Sequence, residues 1–345
     1  MNRNIDRGHL KVAIVTGASS GIGKATAERL AKAGFKVYGT SRRVEVHAAG
    51  VNVLDSKIRN GEFKLFLPYR PPFVLGHDVA GVVVDVGANV KKFTTGDEVY
   101  ARPSDHRIGT FAEFIAVNEA DLAIKPRELT MVEAASIPLV GLTAWQALVG
   151  IADLKKGQRV FIQAGSGGVG TFAIQLAKHL GAFVATTTSA ANSEMVKGLG
   201  ADVVIDYKTT DFQQVLRDYD VVLNSQDNAT LMRSLQVLKR GGKLISISGP
   251  PDPSFADELG LNWFLKQLMR VLSYRIRKQS KRHGVDFSFL FMRAEGNQLG
   301  EITKLIDAGI IKPVVDKVFP FESTNEAMAY VGKGRAKGKV VLKLK

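Results

Sequence analysis

The strongest constraint in this chain is a glycine-rich loop in a complete setting: strand-like Val160 to Gln163, then Gly165-Ser166-Gly167-Gly168-Val169-Gly170, then helical periodicity from Thr171 to His179. A buried strand that turns sharply into a helix leaves bare backbone N–H groups at the helix's positive end. Glycine lets a phosphate approach them where a side chain would block it. The arrangement predicts a parallel β-α-β sheet cradling a diphosphate, and hence a nicotinamide dinucleotide. A second such loop, Thr16-Gly17-Ala18-Ser19-Ser20-Gly21-Ile22-Gly23, stands near the front, but only one more strand, Lys36 to Ser41, follows it. The later loop alone has a whole sheet built after it.

That sheet is read from strands at Arg159 to Gln163, Phe183 to Thr188, Val203 to Asp206, Val221 to Leu223 and Lys243 to Ser248, separated by helical segments such as Ala229 to Leu238. Before it, from Val44, the texture is short strands and turns: Val46 to Val53, Val79 to Val86, Asp97 to Tyr100, Phe111 to Val117 and Asp121 to Ile124. This predicts a small β-barrel. It is expected to close with the tail strands Val314 to Phe321 and Lys339 to Lys343, a helix near Thr324 to Val331 lying between them. The fold class is therefore α/β, a doubly wound parallel sheet plus a barrel, divided into residues 1–43, 44–138 with 312–345, and 139–311.

Composition narrows the chemistry. The chain has 345 residues and no cysteine, which excludes disulfides, thiolate nucleophiles and any zinc site that needs sulfur. No run reaches the eighteen or so apolar residues of a spanning helix, so a cytoplasmic protein without a membrane partner is expected. The net charge of +14 is spread along the chain, which argues against nucleic acid as the main partner. The densest basic cluster, Arg270, Arg275, Arg277, Lys278, Lys281 and Arg282, follows the apolar group Trp263, Phe264, Leu265, Leu268, Met269, Val271 and Leu272. It reads as a solvated helix face with an apolar underside, the alternative being contact with an anionic membrane surface or substrate.

An NAD-selective sheet places Asp or Glu at the end of its second strand to bond the ribose 2′-hydroxyl. Here the segment is Thr187, Thr188, Ser189, Ala190, Ala191, Asn192 and Ser193, with no carboxylate before Glu194. Hydroxyl and amide groups accept a 2′-phosphate that a carboxylate would repel, so NADPH is the expected cofactor.

From about Val44 onward the chain resembles the medium-chain dehydrogenase/reductase superfamily, in its zinc-independent quinone and enone reductase branch, with a GroES-like barrel and a Rossmann domain. The resemblance rests on His47 to Lys57, Leu75-Gly76-His77-Asp78-Val79-Ala80-Gly81, Gly96-Asp97-Glu98, Leu142-Thr143-Ala144-Trp145 and Gly338-Lys339-Val340-Val341. It implies that Asn52 stands where zinc-bearing relatives have a cysteine ligand, and that His77 survives alone as a packed turn residue, with no metal site. It implies conjugate reduction of enones, enals or quinones, with Lys57 as donor to the developing oxyanion and Asn52 orienting the substrate oxygen or the ribose. Thr143 is expected beneath the nicotinamide, Gly165 to Gly170 at the diphosphate, Ser189, Asn192, Ser193 and Tyr207 (with Lys208) at the adenosine phosphate, and Ser248, Gly249, Phe291 and Met292 at the nicotinamide end. A homodimer is expected. The alternative is a catalytically impaired NADPH-binding protein whose basic surface binds a polyanion.

Lys11 to Arg43 resembles instead the first β-α-β unit of short-chain dehydrogenases, with basic Arg42 and Arg43 after its second strand. The catalytic Tyr-x-x-x-Lys of that family has one formal match, Tyr274 to Lys278, in the basic cluster, and is taken as coincidence. The fragment stands where relatives carry two barrel strands, so the chain reads as a fusion at Val44. Either Lys36 to Val53 forms one long barrel strand, or the fragment is an appendage that holds no second cofactor.

Overall fold

Residues 12–16, 29–30, 32–33, 36–40, 43–64, 67, 69 and 71–345 are described by the structure, a computed structural model. Its larger parallel sheet contains β8 (Arg159–Ile162), β9 (Phe183–Thr188), β10 (Val203–Asp206), β11 (Tyr219–Asn224), β12 (Leu238–Ser246) and β13 (Asp286–Phe289), ordered β10-β9-β8-β11-β12-β13. Both faces are covered. Along β8, Val160 and Ile162 enter one apolar core while Phe161 enters another on the far side, as alternation of side chains across a buried strand requires. Strand order reverses at β8, so the loop leaving its carboxyl end opens at the crevice where such sheets bind ligands. Five strands were expected and six are present. The addition, β13, is an edge strand of four residues following a basic helix, too short to show periodicity of its own.

The barrel unit is a seven-stranded sheet with β14 (Val315–Pro320), β15 (Lys339–Lys343), β3 (Arg43–Val51), β4 (Val79–Asp85), β5 (Glu98–Ala101) and β7 (Leu122–Ile124) in that order, and β6 (Phe114–Ile115) on β3. The tail strands join it as expected, through the antiparallel β15–β3 pair with Val341 opposite Gly50. Closure does not follow: among the described residues β14 and β7 are left as sheet edges. The strand expected over Phe111 to Val117 shrinks to the two residues of β6. Val46 to Val53 also does not remain one strand. The Asn52 backbone N–H donates to Asp55 Oδ2 at 2.8 Å, a capping contact that starts a helix over Val53–Arg59 and overrides the β preference of Val53.

At the front, β1 (Val12–Thr16) and β2 (Lys36–Thr40) pair in parallel, Val12 beside Lys36, as a separate two-stranded sheet. Lys36 to Val53 is thus not a single barrel strand, because β2 and β3 belong to different sheets. The loop Gly17 to Gly23 lies outside the described residues.

Candidate active site

The glycine loop after β8 is shaped by contacts that leave no room for side chains. A Cβ on Gly165 would stand 2.1 Å from Thr186 Oγ1, and one on Gly170 2.4 Å from the Ala164 carbonyl. Gly165 N–H donates to Thr187 O at 2.9 Å, and Ala164 N–H to Thr187 Oγ1 at 3.1 Å, so the loop is pinned to β9. Gly167 is different: a Cβ there would meet only Ala164 O, at 3.3 Å. Its outer face is open. The helix Gly168–His179 starts at this point with Gly167 as its extended N-cap residue, so the amides of Gly168, Val169 and Gly170 have no acceptor within the helix. Open backbone amides at the amino end of a long helix form an anion cradle. Ser166 lies in the same turn and supplies its carbonyl to Gly338 N–H at 2.8 Å.

That bond joins the two units. Gly167 and Gly338 form a parallel bridge, which places the next residue, Lys339, against the loop: a Cβ on Gly168 would lie 2.9 Å from Lys339 Cδ. Gly338 has φ +86° and a would-be Cβ 2.2 Å from Val314 O, so both conformation and space demand glycine. Lys339 is 5% exposed. Its ammonium donates to Asp78 Oδ2 at 2.9 Å and to Asn52 Oδ1, and Asn52 Nδ2 donates to the same Asp78 oxygen at 2.9 Å. Leu139 N–H satisfies Asp78 Oδ1 at 2.7 Å. The amide of Asn52 is therefore committed at both ends to groups of the chain. A buried carboxylate, cation and amide that satisfy one another are stable only as a set, since loss of one strands a charge.

Beside this set, His77 Nδ1 and Asp55 Oδ1 lie 2.6 Å apart, both side chains fully buried. Asp55 thus starts the helix Val53–Arg59 with one oxygen and holds His77 with the other. Lys57 sits on that helix, half-buried, without a side-chain hydrogen bond to the described residues. Zinc does not fit here. Of the two positions matching metal ligands, Asn52 is held by Lys339 and Asp78 and offers no anionic or imidazole donor, and a fixed ammonium lies against it; His77 Nδ1 is held by Asp55, while its buried Nε2 has no partner among the described residues. One imidazole nitrogen does not hold zinc, and no group of three or more His, Cys, Asp or Glu among the described residues could hold a metal ion.

The other expected residues are placed as follows. Thr143 is buried inside the helix Pro138–Trp145, with its hydroxyl bonded to Leu139 O at 2.7 Å. Ser189, Asn192 and Ser193 follow β9, partly exposed and without side-chain hydrogen bonds to the described residues, and Tyr207 after β10 is 62% exposed. Gly249 N–H donates to Ser246 Oγ at 2.9 Å, keeping Ser248 and Gly249 at the end of β12. Phe291 packs on Phe63 and Phe255 with ring centres 5.7 and 5.4 Å away, and Met292 is buried behind it. Sequence reasoning missed Asp78 and Lys339 as partners. Both stand in stretches that carried the family resemblance, but no local pattern shows that residues 261 apart meet.

Family models for an alcohol dehydrogenase GroES-like domain and a zinc-binding dehydrogenase match residues 40–127 and 199–342, and one for short chain dehydrogenases matches 11–66. The last extends past Arg43 into β3 and the helix behind it. The chain is 37% identical to NAD(P)H oxidoreductase RTN4IP1, mitochondrial, of Mus musculus, over 87% of this chain and 80% of that protein. It is 34% identical to the chloroplastic NADPH-dependent alkenal/one oxidoreductase of Arabidopsis thaliana, over 87% and 71%. The quinone oxidoreductase structure from Coxiella burnetii superposes with a TM-score of 0.77 at 29% identity, over 88% of this chain and 90% of that one. With a GroES-like unit, a Rossmann sheet and these relatives, the chain belongs to the NAD(P)H-dependent quinone and enone oxidoreductases of the medium-chain dehydrogenase/reductase superfamily.

Proposed function

We propose that this protein is an NADPH-dependent, zinc-independent reductase that delivers hydride to the β-carbon of α,β-unsaturated ketones and aldehydes, or to quinones as two-electron acceptors. The observation that carries the reading is the open amide cradle at Gly167 to Gly170, followed by a β9 end with no carboxylate before Glu194. Bound NADPH supplies the hydride. In this reading Ser189, Asn192, Ser193, Tyr207 and Lys208 receive the 2′-phosphate, because their side-chain donors have no hydrogen-bond partner among the described residues and no carboxylate stands between Thr188 and Glu194. Lys57 donates to the oxygen that becomes an enolate, and a proton from solvent completes the α-carbon. Asn52 acts as a positioning residue that keeps Asp78 and Lys339 paired beneath the loop. Thr143, Ser248, Gly249, Phe291 and Met292 shape the nicotinamide end.

The Arabidopsis alkenal/one oxidoreductase and a 2-methylene-furan-3-one reductase of Solanum lycopersicum, each 34% identical, support a conjugated carbonyl, while the quinone oxidoreductase of Coxiella burnetii supports a quinone. The proposal includes a homodimer, a cytoplasmic location, and a division into 44–138 with 312–345 as the catalytic unit, 139–311 as the nucleotide unit and 1–43 as an appended fragment. No helix among the described residues is long and apolar enough to cross a membrane. The test is turnover of an enone and quinone panel with NADPH and NADH, and with NADPH deuterated at C4. Deuterium at the carbon β to the carbonyl of an enone, with NADPH preferred at least tenfold in kcat/KM, supports the reading. Deuterium on the carbonyl carbon, or no oxidation of NADPH by any acceptor, rejects it; the latter would favour a polyanion-binding protein.

A further inference from the structure

The helix Trp263–Leu272 and its successor Tyr274–His283 form a surface that the reductase chemistry does not use. Phe264, Leu268, Val271 and Leu272 recur at the spacing of one helix face, and such a face ordinarily packs on a core. Here it does not: Met269 is the only buried side chain of the first helix, while Trp263 is 73%, Phe264 69%, Val271 71% and Leu272 52% exposed. The expected apolar underside is therefore largely uncovered. Ser273 is buried and donates to Met269 O at 2.7 Å, and on its other side Tyr274 is 58% exposed, so the apolar strip runs directly into the second helix. That helix buries Ile276 and Ser280 and turns Arg275, Arg277, Lys278, Lys281 and Arg282 to solvent. From residue 263 to 285 there are seven Lys and Arg and no Asp or Glu.

We infer that this surface lies on anionic lipid bilayers, with Trp263, Phe264, Val271 and Leu272 entering the acyl boundary and the basic helix meeting the headgroups. Charge selects the occupant. A second copy docked here about a two-fold axis would set this cationic run against itself. A nucleic acid would satisfy the cations and stack on the aromatic rings but leave Val271 and Leu272 in water. A bilayer with anionic headgroups accommodates both halves, since each Lys or Arg near it adds about 1 kcal/mol of attraction, or about fivefold in partition, while the apolar face is buried beneath the headgroups. The sequence expectation of no membrane partner is thereby revised in one respect: the chain lies on the bilayer without spanning it.

The test is co-sedimentation of the full chain with vesicles of phosphatidylcholine alone or mixed with phosphatidylglycerol, at low and high salt, with quenching of tryptophan fluorescence by brominated lipid. Expected are binding to the mixed vesicles at least tenfold stronger than to neutral ones, weakening with salt, and quenching that disappears in Trp263→Ser. Trp263→Ser with Phe264→Ser, and separately Arg275→Gln with Lys278→Gln and Arg282→Gln, should each lower binding at least tenfold, with circular dichroism and thermal melting unchanged. Equal binding to both vesicle types or none to either overturns the inference. So do a higher affinity for single-stranded RNA oligonucleotides than for mixed vesicles, and self-association that Phe264→Ser abolishes.

Discussion

Gly167→Asp is the substitution that best separates a working cofactor cradle from a structural loop. The fold should tolerate it, since Gly167 is extended at φ −81° and ψ 171° and an added Cβ meets only Ala164 O at 3.3 Å. What changes is charge. A carboxylate about 4 Å from a diphosphate charge repels it by about 4 kcal/mol at an effective dielectric of about 20. Partial exposure of the loop reduces this to about 2 kcal/mol, which is about a thirtyfold rise in the Kd for NADPH. Gly167→Asn carries the same bulk without the charge and should cost much less, and the gap between the two should narrow at high salt. Gly165→Ala is the opposite case, with its Cβ 2.1 Å from Thr186 Oγ1, and should lower the melting temperature. Gly21→Asp in the front loop should leave NADPH binding intact. Fluorescence titration of NADPH reads the Gly167 and Gly21 variants, and thermal melting reads Gly165→Ala. An unchanged Kd in Gly167→Asp, or loss of binding in Gly21→Asp, would refute the reasoning.

Lys57→Ala should lower kcat for an enone about a hundredfold, as removal of a single oxyanion donor does, with the Kd for NADPH unchanged in the same titration. Lys339→Met leaves Asp78 buried without its cation and should cost about 3 kcal/mol in urea unfolding; adding Asp78→Asn should recover most of that loss. Asp220 should support stability toward acid. Burial pushes its carboxyl up, but Arg159 N–H at 2.7 Å and Lys239 at 2.5 Å outweigh burial and hold it below the usual carboxylate range. Its contribution is therefore full at neutral pH and lost as pH falls through that lowered value, so Asp220→Asn should flatten the acid side of a melting-temperature profile.

Five of the six strands of the nucleotide sheet were legible in the sequence because the central ones, Arg159–Ile162, Phe183–Thr188 and Tyr219–Asn224, are mostly buried runs bounded by turns, and because a loop like Gly165 to Gly170 has few structural uses. What escaped was set by long-range contact or by side-chain chemistry. Asn52 reads as part of a strand until Asp55 is seen capping the next turn. Lys339 reads only as the first residue of a tail strand until the Gly167–Gly338 bridge draws it beneath the loop. The apolar group from Trp263 to Leu272 reads as an underside, and only the packing shows that little covers it. For the site, sequence named the segments, while the partners of Asn52 and the pairing of His77 with Asp55 required the fold.

Diffraction from crystals of this chain grown with NADP would test the central claim most directly. The account predicts density for the diphosphate against the backbone amides of Gly168, Val169 and Gly170, with the nicotinamide directed toward the helix that carries Lys57. Density for that diphosphate beside Gly21, or at neither loop under saturating nucleotide, would contradict it.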